Sequence, residues 1–301
     1  MRGRELFGRT AGPDPRPAAP PSRDSSRYPM RNGHRREYAA SRARGSLSFD
    51  ERCEQALTDI GVHGAVSYRD LAEARFGGHP YTTRRAVNGW IRDGLVTEIR
   101  ATGPKGNPFK VLTLTRDGVD EARRLAAKRG KDPGQRIRFV RVRPSEADHD
   151  AAVYRACRKE RERLIGQGAT VRRIRLGSEL KSAIARASES ARLKEGKRAA
   201  DKERHRIARE LGLPIDDEGR VLHPDAQIEY ADAGGRTGRV NVEAVSGNYR
   251  EQTVRAKAAA GFAMHANGPA ATNLLRSLGL GGDNGSWLKG PADRNPAAVE
   301  L

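Results

Sequence analysis

Three residues in the C-terminal third of the chain have the types that a metal-dependent phosphodiesterase uses. Asp225, Glu243 and Lys257 lie in a stretch that reads as a strand, a tight turn, a second strand and a helix. A carboxylate near the start of one strand and another on its hairpin partner can meet at one point and hold a hard cation. A lysine on the following helix could then direct its ammonium at a phosphate. The pattern therefore predicts metal-assisted chemistry on a phosphodiester.

The same three residues also have an ordinary structural interpretation. Asp225 could cap a strand edge, Glu243 could pair with Arg173 or Arg175 on a neighbouring strand, and Lys257 could be a solvated helix residue. Buried charges in sheets are commonly paired in this way. Both interpretations stay open at the level of the sequence.

The composition indicates a polyanionic partner. The 301 residues carry a formal net charge of +19, with 36% hydrophobic, 5% aromatic and 32% charged residues. Such a length suggests two domains with irregular flanks. A field this positive favours nucleic acid, and we expect double-stranded DNA as the partner. The alternative is that the excess charge belongs to a basic arm alone, but basic residues are spread over both expected domains.

Other classes of protein are excluded or disfavoured by simple patterns. Cys53 and Cys157 are the only cysteines and form no CxxC pair, and the seven histidines lack metal-ligand spacing, so a zinc site or a disulfide framework is not expected. No apolar run approaches the ~18 residues of a membrane span. The N-terminus lacks the apolar stretch of a secretion signal. We therefore expect a cytoplasmic protein without membrane contact.

Residues 1–47 are rich in Arg, Pro, Ser and Gly and predict a disordered basic arm. From Ser48 the pattern changes to helices: SFDERCEQALTDIG, SYRDLAEARFGG and YTTRRAVNGWIRDGLV. We expect the third to be capped by Thr82 or Thr83, to turn Val87, Trp90 and Ile91 inward, and to stop at Gly94. Two alternating strands, TEIRATG and PFKVLTLT, and the helix RDGVDEARRLAAKR follow.

This order of elements is that of a winged helix-turn-helix. Residues 48–129 resemble the bacterial winged-helix DNA-binding families, through GLVTEIR leading into the wing and TLTRDGVDEARRL after it. The second helix of such a motif lies in the major groove, where arginine suits guanine and asparagine suits adenine. The expected contacts on this helix are Tyr81, Thr83, Arg84, Asn88 and Arg92, and those in or beside the wing are Lys105, Asn107 and Lys110. An exposed polar helix used for protein contact is the alternative.

Residues 130–148 form a basic linker in which IRFVRVR alternates like a short strand. A second unit, 149–263, begins with an amphipathic helix that we expect to turn Ala152, Val153, Ala156, Leu164 and Ile165 to one side. The strand VRRIRLG, a long charge-rich helical stretch, and the hairpin and helix with the candidate acids complete this unit. Residues 264–301 are expected to be mostly a flexible tail, with no last strand after the helix that ends near Phe262.

This second unit resembles the replication-relaxation family, and through it the mobilisation relaxases with a restriction-endonuclease-like core and an N-terminal winged helix. The shared pieces are His149 before a helix, Glu179 after the first strand, Pro224-Asp225, Glu243 and Lys257. The resemblance implies that Asp225 and Glu243 bind Mg²⁺ or Mn²⁺, that Glu179 ligates through water or acts as a base, and that Lys257 neutralises the scissile phosphate. The chain departs from both patterns at Val245, where a lysine or a carboxylate is usual.

Together these features predict an α+β protein, with a winged helix-turn-helix followed by a small α/β restriction-endonuclease-like domain. The expected function is DNA binding in replication or conjugative mobilisation of a plasmid or other mobile element. Relaxosome or replication proteins are the expected partners. If it is an enzyme, it is a metal-dependent endonuclease that nicks DNA. The alternative is a winged-helix transcriptional regulator with a catalytically inactive C-terminal interaction domain.

Overall fold

The computed structural model describes residues 47–103, 106–130 and 134–280 of the chain. Within these residues the fold is mixed α+β, as predicted. Nearly all of the expected N-terminal arm lies outside the described residues, and so does the end of the expected tail from residue 281 onward.

The first half consists of four helices and three short strands. In chain order these are α1 Phe49–His63, β1 Val66–Ser67, α2 Tyr68–Arg75, α3 Pro80–Arg92, β2 Val96–Thr102, β3 Pro108–Leu114 and α4 Arg116–Lys128. The strands form an antiparallel sheet in the order β1-β3-β2.

The cap expected at the start of α1 is present. Ser48 Oγ accepts from the backbone N–H of Glu51 at 3.1 Å, and a Glu51 carboxylate oxygen accepts from the N–H of Ser48 at 2.7 Å. This reciprocal pair satisfies two N–H groups that a helix otherwise leaves without partners. Gly94, the expected stop after α3, has φ of 72°, a conformation that glycine adopts readily.

The second half is a four-stranded sheet with helices on both faces. Its elements are α5 Ala147–Gly166, β4 Thr170–Leu176, α6 Gly177–Glu195, α7 Lys197–Glu210, β5 Ala226–Ala231, β6 Thr237–Val245, α8 Glu251–Ala259, β7 Ala263–Ala266 and α9 Pro269–Ser277. The strand order is β4-β5-β6-β7, antiparallel except for the last pair.

The expectation that no strand follows Phe262 was wrong. β7 pairs in parallel with Val242–Val245 of β6, and α9 then buries Ala271 and Leu275 against the sheet. A strand of four residues is too short to show alternation, and a buried parallel strand does not need it. The tail expected from residue 264 is therefore folded to Ser277.

The segment between the halves contains no strand over residues 134–143, contrary to expectation, yet it is packed. Ile137 and Val142 are buried, and the N–H of Arg138 donates to the carbonyl of Gly61 at 3.1 Å. The side-chain amide of Gln135 bonds both backbone groups of Ile174, at 2.8 and 3.0 Å. This segment thus ties α1 to the free edge of β4.

A single hydrophobic core extends through both halves. Ile60, Trp90 and Leu114 from the first half belong to the same buried cluster as Ala152 and Ile228 from the second. α5 joins the two parts, because it packs on β6 of its own sheet and also against the first half. Of its expected inward residues, Ile165 is an exception, with 42% of its surface exposed.

Candidate active site and nucleic-acid interface

The structure brings Asp225, Glu243 and Lys257 together at one end of the second sheet. Asp225 directly precedes β5, and its backbone N–H donates to the carbonyl of Val242 at 3.1 Å and lies 3.3 Å from a carboxylate oxygen of Glu243. Lys257, in the last turn of α8, places its ammonium 2.5 Å from the other oxygen of Glu243. The sequence-predicted convergence of these three residues is confirmed.

Glu243 is completely enclosed. Its side chain has 0% exposure, and the hydroxyl of Tyr249 donates to it at 2.8 Å in addition to Lys257. Burial and the nearby Asp225 carboxylate raise the pKa of Glu243, while Lys257 and Tyr249 act in the opposite direction. The carboxylate is therefore balanced by protein donors rather than by solvent.

Asp225 is the more accessible of the two acids. One of its oxygens lies 3.3 Å from Nε2 of His149 at the start of α5, and the other accepts the N–H of Ala244 at 2.9 Å. The hydrogen bond to Asp225 raises the pKa of His149, against the effect of burial. The His149 side chain is 45% exposed, so this edge of the cluster faces solvent.

Lys257 has a second acceptor in the carbonyl oxygen of His223, at 2.8 Å. Its side chain is only 13% exposed. The ammonium therefore neutralises Glu243 within the fold instead of projecting from the helix, which removes the interpretation of Lys257 as a solvated residue.

Glu179 makes its ion pairs with arginines and not with this cluster. It is buried in the first turn of α6, 2.6 Å from Arg173 and 3.6 Å from both Arg136 and Arg138. These contacts balance its charge, and none of them involves Asp225 or Glu243. The role of Glu179 as a metal ligand through water, or as a base, stays a prediction.

The alternative in which Glu243 pairs with Arg173 or Arg175 of a neighbouring strand is wrong. Arg173 binds Glu179, and Arg175 binds Glu229 at 3.1 Å, so neither of the expected arginines reaches Glu243. The partner is Lys257, from the helix rather than from the neighbouring strand.

Sequence reasoning missed Tyr249 and His223 and gave His149 no role. Tyr249 lies in the turn before α8, where nothing in SGNYR distinguishes it from an ordinary turn residue. His223 could have been noticed from its position two residues before Asp225.

The described residues contain no group of three or more His, Cys, Asp or Glu side chains that could hold a metal ion. The available donors are the two carboxylates of Asp225 and Glu243. Mg²⁺ commonly uses one or two carboxylates and completes its shell with waters and substrate phosphates, so the residue types suit Mg²⁺ or Mn²⁺, while Lys257 and Tyr249 already bond the enclosed Glu243 carboxylate.

The second region whose side chains could bind a partner is the outer face of α3. Tyr81 is 80% exposed, and Arg84, Asn88 and Arg92 are exposed at intervals of three or four residues along the same face. Arg85, which was not predicted, is also exposed and lies over the ring of Phe49 at 5.3 Å. This face offers an aromatic ring, guanidinium groups and an amide to a partner.

The prediction that Thr83 faces outward was wrong. Thr83 is 0% exposed, and its hydroxyl donates to the carbonyl of His79 at 2.9 Å. The helix starts at Pro80 rather than at a threonine cap, and Thr83 lies on its buried face because it is three and four residues before the buried Ala86 and Val87. Ile91, which was expected to face inward, is 41% exposed.

The hairpin of β2 and β3 carries part of the expected wing surface. Asn107 is exposed, while Lys110 is 51% exposed and pairs with Glu98 at 2.7 Å. Arg100, directly opposite Lys110 in the hairpin, is exposed as well and was not predicted. Lys105 lies outside the described residues.

No protein-family model matches the chain, and no curated protein matches it. Across residues 47–103, 106–130 and 134–280, none of the helices combines the length and the apolar character needed to cross a membrane.

Proposed function

We propose that the chain is a duplex-DNA-binding protein of a plasmid or other mobile element, acting in replication or conjugative mobilisation. The single observation that carries the DNA-binding part is the outer face of α3, where Tyr81, Arg84, Asn88 and Arg92 are exposed together. The role in a mobile element rests on the resemblance to the replication-relaxation family.

The surroundings of α3 support this use. α2, the turn at residues 76–79 and α3 are followed by an antiparallel hairpin that pairs with β1, as in a winged helix-turn-helix. In that motif the second helix enters the major groove and the wing contacts the backbone. Arg84 and Arg92 would bind guanine or phosphate, and Asn88 would bind adenine.

The direct test is the affinity for duplex DNA as a function of salt. We expect log K to fall linearly with log salt concentration, and Arg84→Ala/Arg92→Ala to reduce the slope by about 0.9 for each phosphate that the variant no longer neutralises. Arg116→Ala/Arg124→Ala, on the exposed side of α4, removes the same charge and is the matched control. Equally weakened binding by both double variants, or an affinity insensitive to salt, would contradict the proposal.

We further propose that the second half nicks one DNA strand at Asp225 and Glu243, with Mg²⁺ or Mn²⁺. A bound ion would supply Lewis-acid activation of water and of the phosphoryl group. The chain itself would hold Asp225 through the N–H of Ala244 and through His149, and Lys257 would provide positive charge beside the acids.

A transcriptional regulator with an inactive second half is the other candidate. It is favoured by the full enclosure of Glu243, which is bonded by Lys257 and Tyr249 at 0% exposure. A cation would have to displace these donors to bind both acids.

Incubation of supercoiled plasmid carrying the cognate origin with Mg²⁺ or Mn²⁺ separates the two candidates. A nickase would convert it to open circles, Asp225→Asn would abolish the conversion, and the exposed Asp217→Asn would not. Retained binding without conversion by the wild type would leave the regulator as the conclusion.

A further inference from the structure

A cleft of about 540 Å³ lies between α6 and α7, on the side of His223. Four cationic and two acidic side chains contribute to its walls. The cationic side chains are Lys181, Arg192, Lys197 and Arg204, and the acidic ones are Glu189 and Asp201. The cleft therefore carries an excess of positive charge.

The acids in the cleft do not neutralise its lysines. Glu189 pairs with Arg192 at 2.7 Å, and Asp201 pairs with Arg204 at 2.9 Å. Within the described part of the chain neither Lys181 nor Lys197 forms an ion pair. Each wall thus contributes one ammonium group that is available to an anion, Lys181 from α6 and Lys197 from α7.

His223 connects this cleft to the candidate active site. Its side chain lines the cleft, and its carbonyl oxygen accepts from Lys257 at 2.8 Å. Nδ1 of its imidazole is buried and has no hydrogen-bond partner among the described residues.

We infer that the cleft between α6 and α7 binds the phosphodiester backbone of a single strand of nucleic acid beside Asp225 and Glu243. The inference deepens the proposed function and rests on it only for the source of the strand, which would be one of the two in the duplex held by α3. Lys181 and Lys197 would each neutralise a phosphate as compact point charges.

Size and chemistry favour a strand over a duplex. The volume is that of a small-ligand site, roughly 300–1,000 Å³. A duplex is wider than its own major groove of about 12 Å, and is therefore too large to enter a cleft of this size. Apart from the imidazole of His223, no aromatic ring lines the cleft. Base stacking would therefore contribute little, and we expect weak sequence preference with strong salt dependence.

The test compares two double variants of the full chain by fluorescence anisotropy with labelled single-stranded DNA of mixed sequence. Lys181→Ala/Lys197→Ala removes the two cleft ammonium groups. Lys194→Ala/Lys202→Ala removes two exposed lysines of the same helices that do not line the cleft. All four positions are exposed, and coincident thermal transitions would show that both variants are folded.

We expect the cleft variant to bind the strand roughly tenfold more weakly near physiological salt, with a log–log salt slope smaller by about 1.4, since each single-strand phosphate that is neutralised contributes about 0.7. The control variant should match the wild type. Equally weakened binding by both variants would overturn the inference. Release of the labelled strand by inorganic phosphate, at the same concentration of phosphate groups as the strand contains, would overturn it as well.

Duplex binding measured in parallel keeps the two proposals distinguishable. Loss of duplex binding in Arg84→Ala/Arg92→Ala with strand binding retained supports separate sites. A wild-type protein that binds the strand through the cleft but no duplex would refute the proposed function and leave the cleft inference standing. A cleft variant that loses only duplex affinity would overturn the inference.

Discussion

The ion pair of Lys257 and Glu243 allows a sharp test of how the candidate site is held. Glu243 is 0% and Lys257 13% exposed, so Lys257→Met would leave a carboxylate buried without its cation. Breaking one side of a buried pair costs about 3–5 kcal/mol. At about 2–4 °C per kcal/mol for a chain of this size, the melting temperature should fall by roughly 10 °C.

The double variant Glu243→Gln/Lys257→Met tests the same reasoning from the other side. It removes both charges and keeps an acceptor for Tyr249, so we expect its unfolding free energy to lie within about 1.5 kcal/mol of the wild type. Urea unfolding of the wild type, both single variants and the double variant gives the coupling energy of the pair. A double variant as unstable as Lys257→Met, or a Lys257→Met protein as stable as the wild type, would refute the argument.

The pH dependence of this cycle has a definite sign. Because the pKa of Glu243 is raised in the folded state, its ionisation reduces stability as pH rises through the interval between the unfolded and folded pKa values. Removing Lys257 raises the folded pKa further and widens that interval upward. The deficit of Lys257→Met should therefore be small near pH 4 and grow toward neutral pH.

Two other measurements probe the site and the helix that would read DNA. In NMR spectra His149 should titrate above its usual pKa of about 6.5, and Asp225→Asn should lower the pKa of His149. The stability contributed by the pair of His149 and Asp225 is present below pH 6.5 and is lost as pH rises through the folded pKa. Gly118→Ala should cost about 1–3 kcal/mol, since a Cβ there would lie 1.9 Å from the carbonyl oxygen of Leu95. Gly89→Ala, within α3 and with no atom near the added Cβ, should instead stabilise by about 0.4–1 kcal/mol. Chemical denaturation measures both, and similar effects at the two glycines would contradict the packing argument.

The helices of the first half could be predicted because their signals are local. The start of α1 at Ser48 and the stop at Gly94 follow from the preferences of single residues for caps and turns. The misplacement of Thr83 has an equally local cause. Thr83 is three residues before Ala86 and four before Val87, and this helical spacing places it on the same buried face.

The features that the sequence did not predict depend on contacts between distant segments. β7 exists because Val242–Val245 provides a partner for AMHA, and no pattern within four residues shows that. Glu179 lies in the first turn of α6 and meets three arginines, whereas Glu243 lies in β6 and meets a single lysine. Which cation reaches which acid is decided by the packing of α6 and α8 on the sheet, and this information is not local.

The manner in which the halves are joined bears on how a DNA-bound helix could serve a distant site. Arg155 of α5 donates to Asp70 of α2 at 2.7 Å and to Asn267, just after β7, at 3.0 Å. Asn267 in turn donates to Asp148, the neighbour of His149, at 3.0 Å. Asp70 is buried, so separating the halves would expose its charge or leave it buried without Arg155 as its partner. The shared hydrophobic core would be opened as well. If α3 binds a duplex as proposed, these contacts would hold that duplex at a set position relative to Asp225. On the proposed function, any cleavage would then fall at a set distance from the bound site.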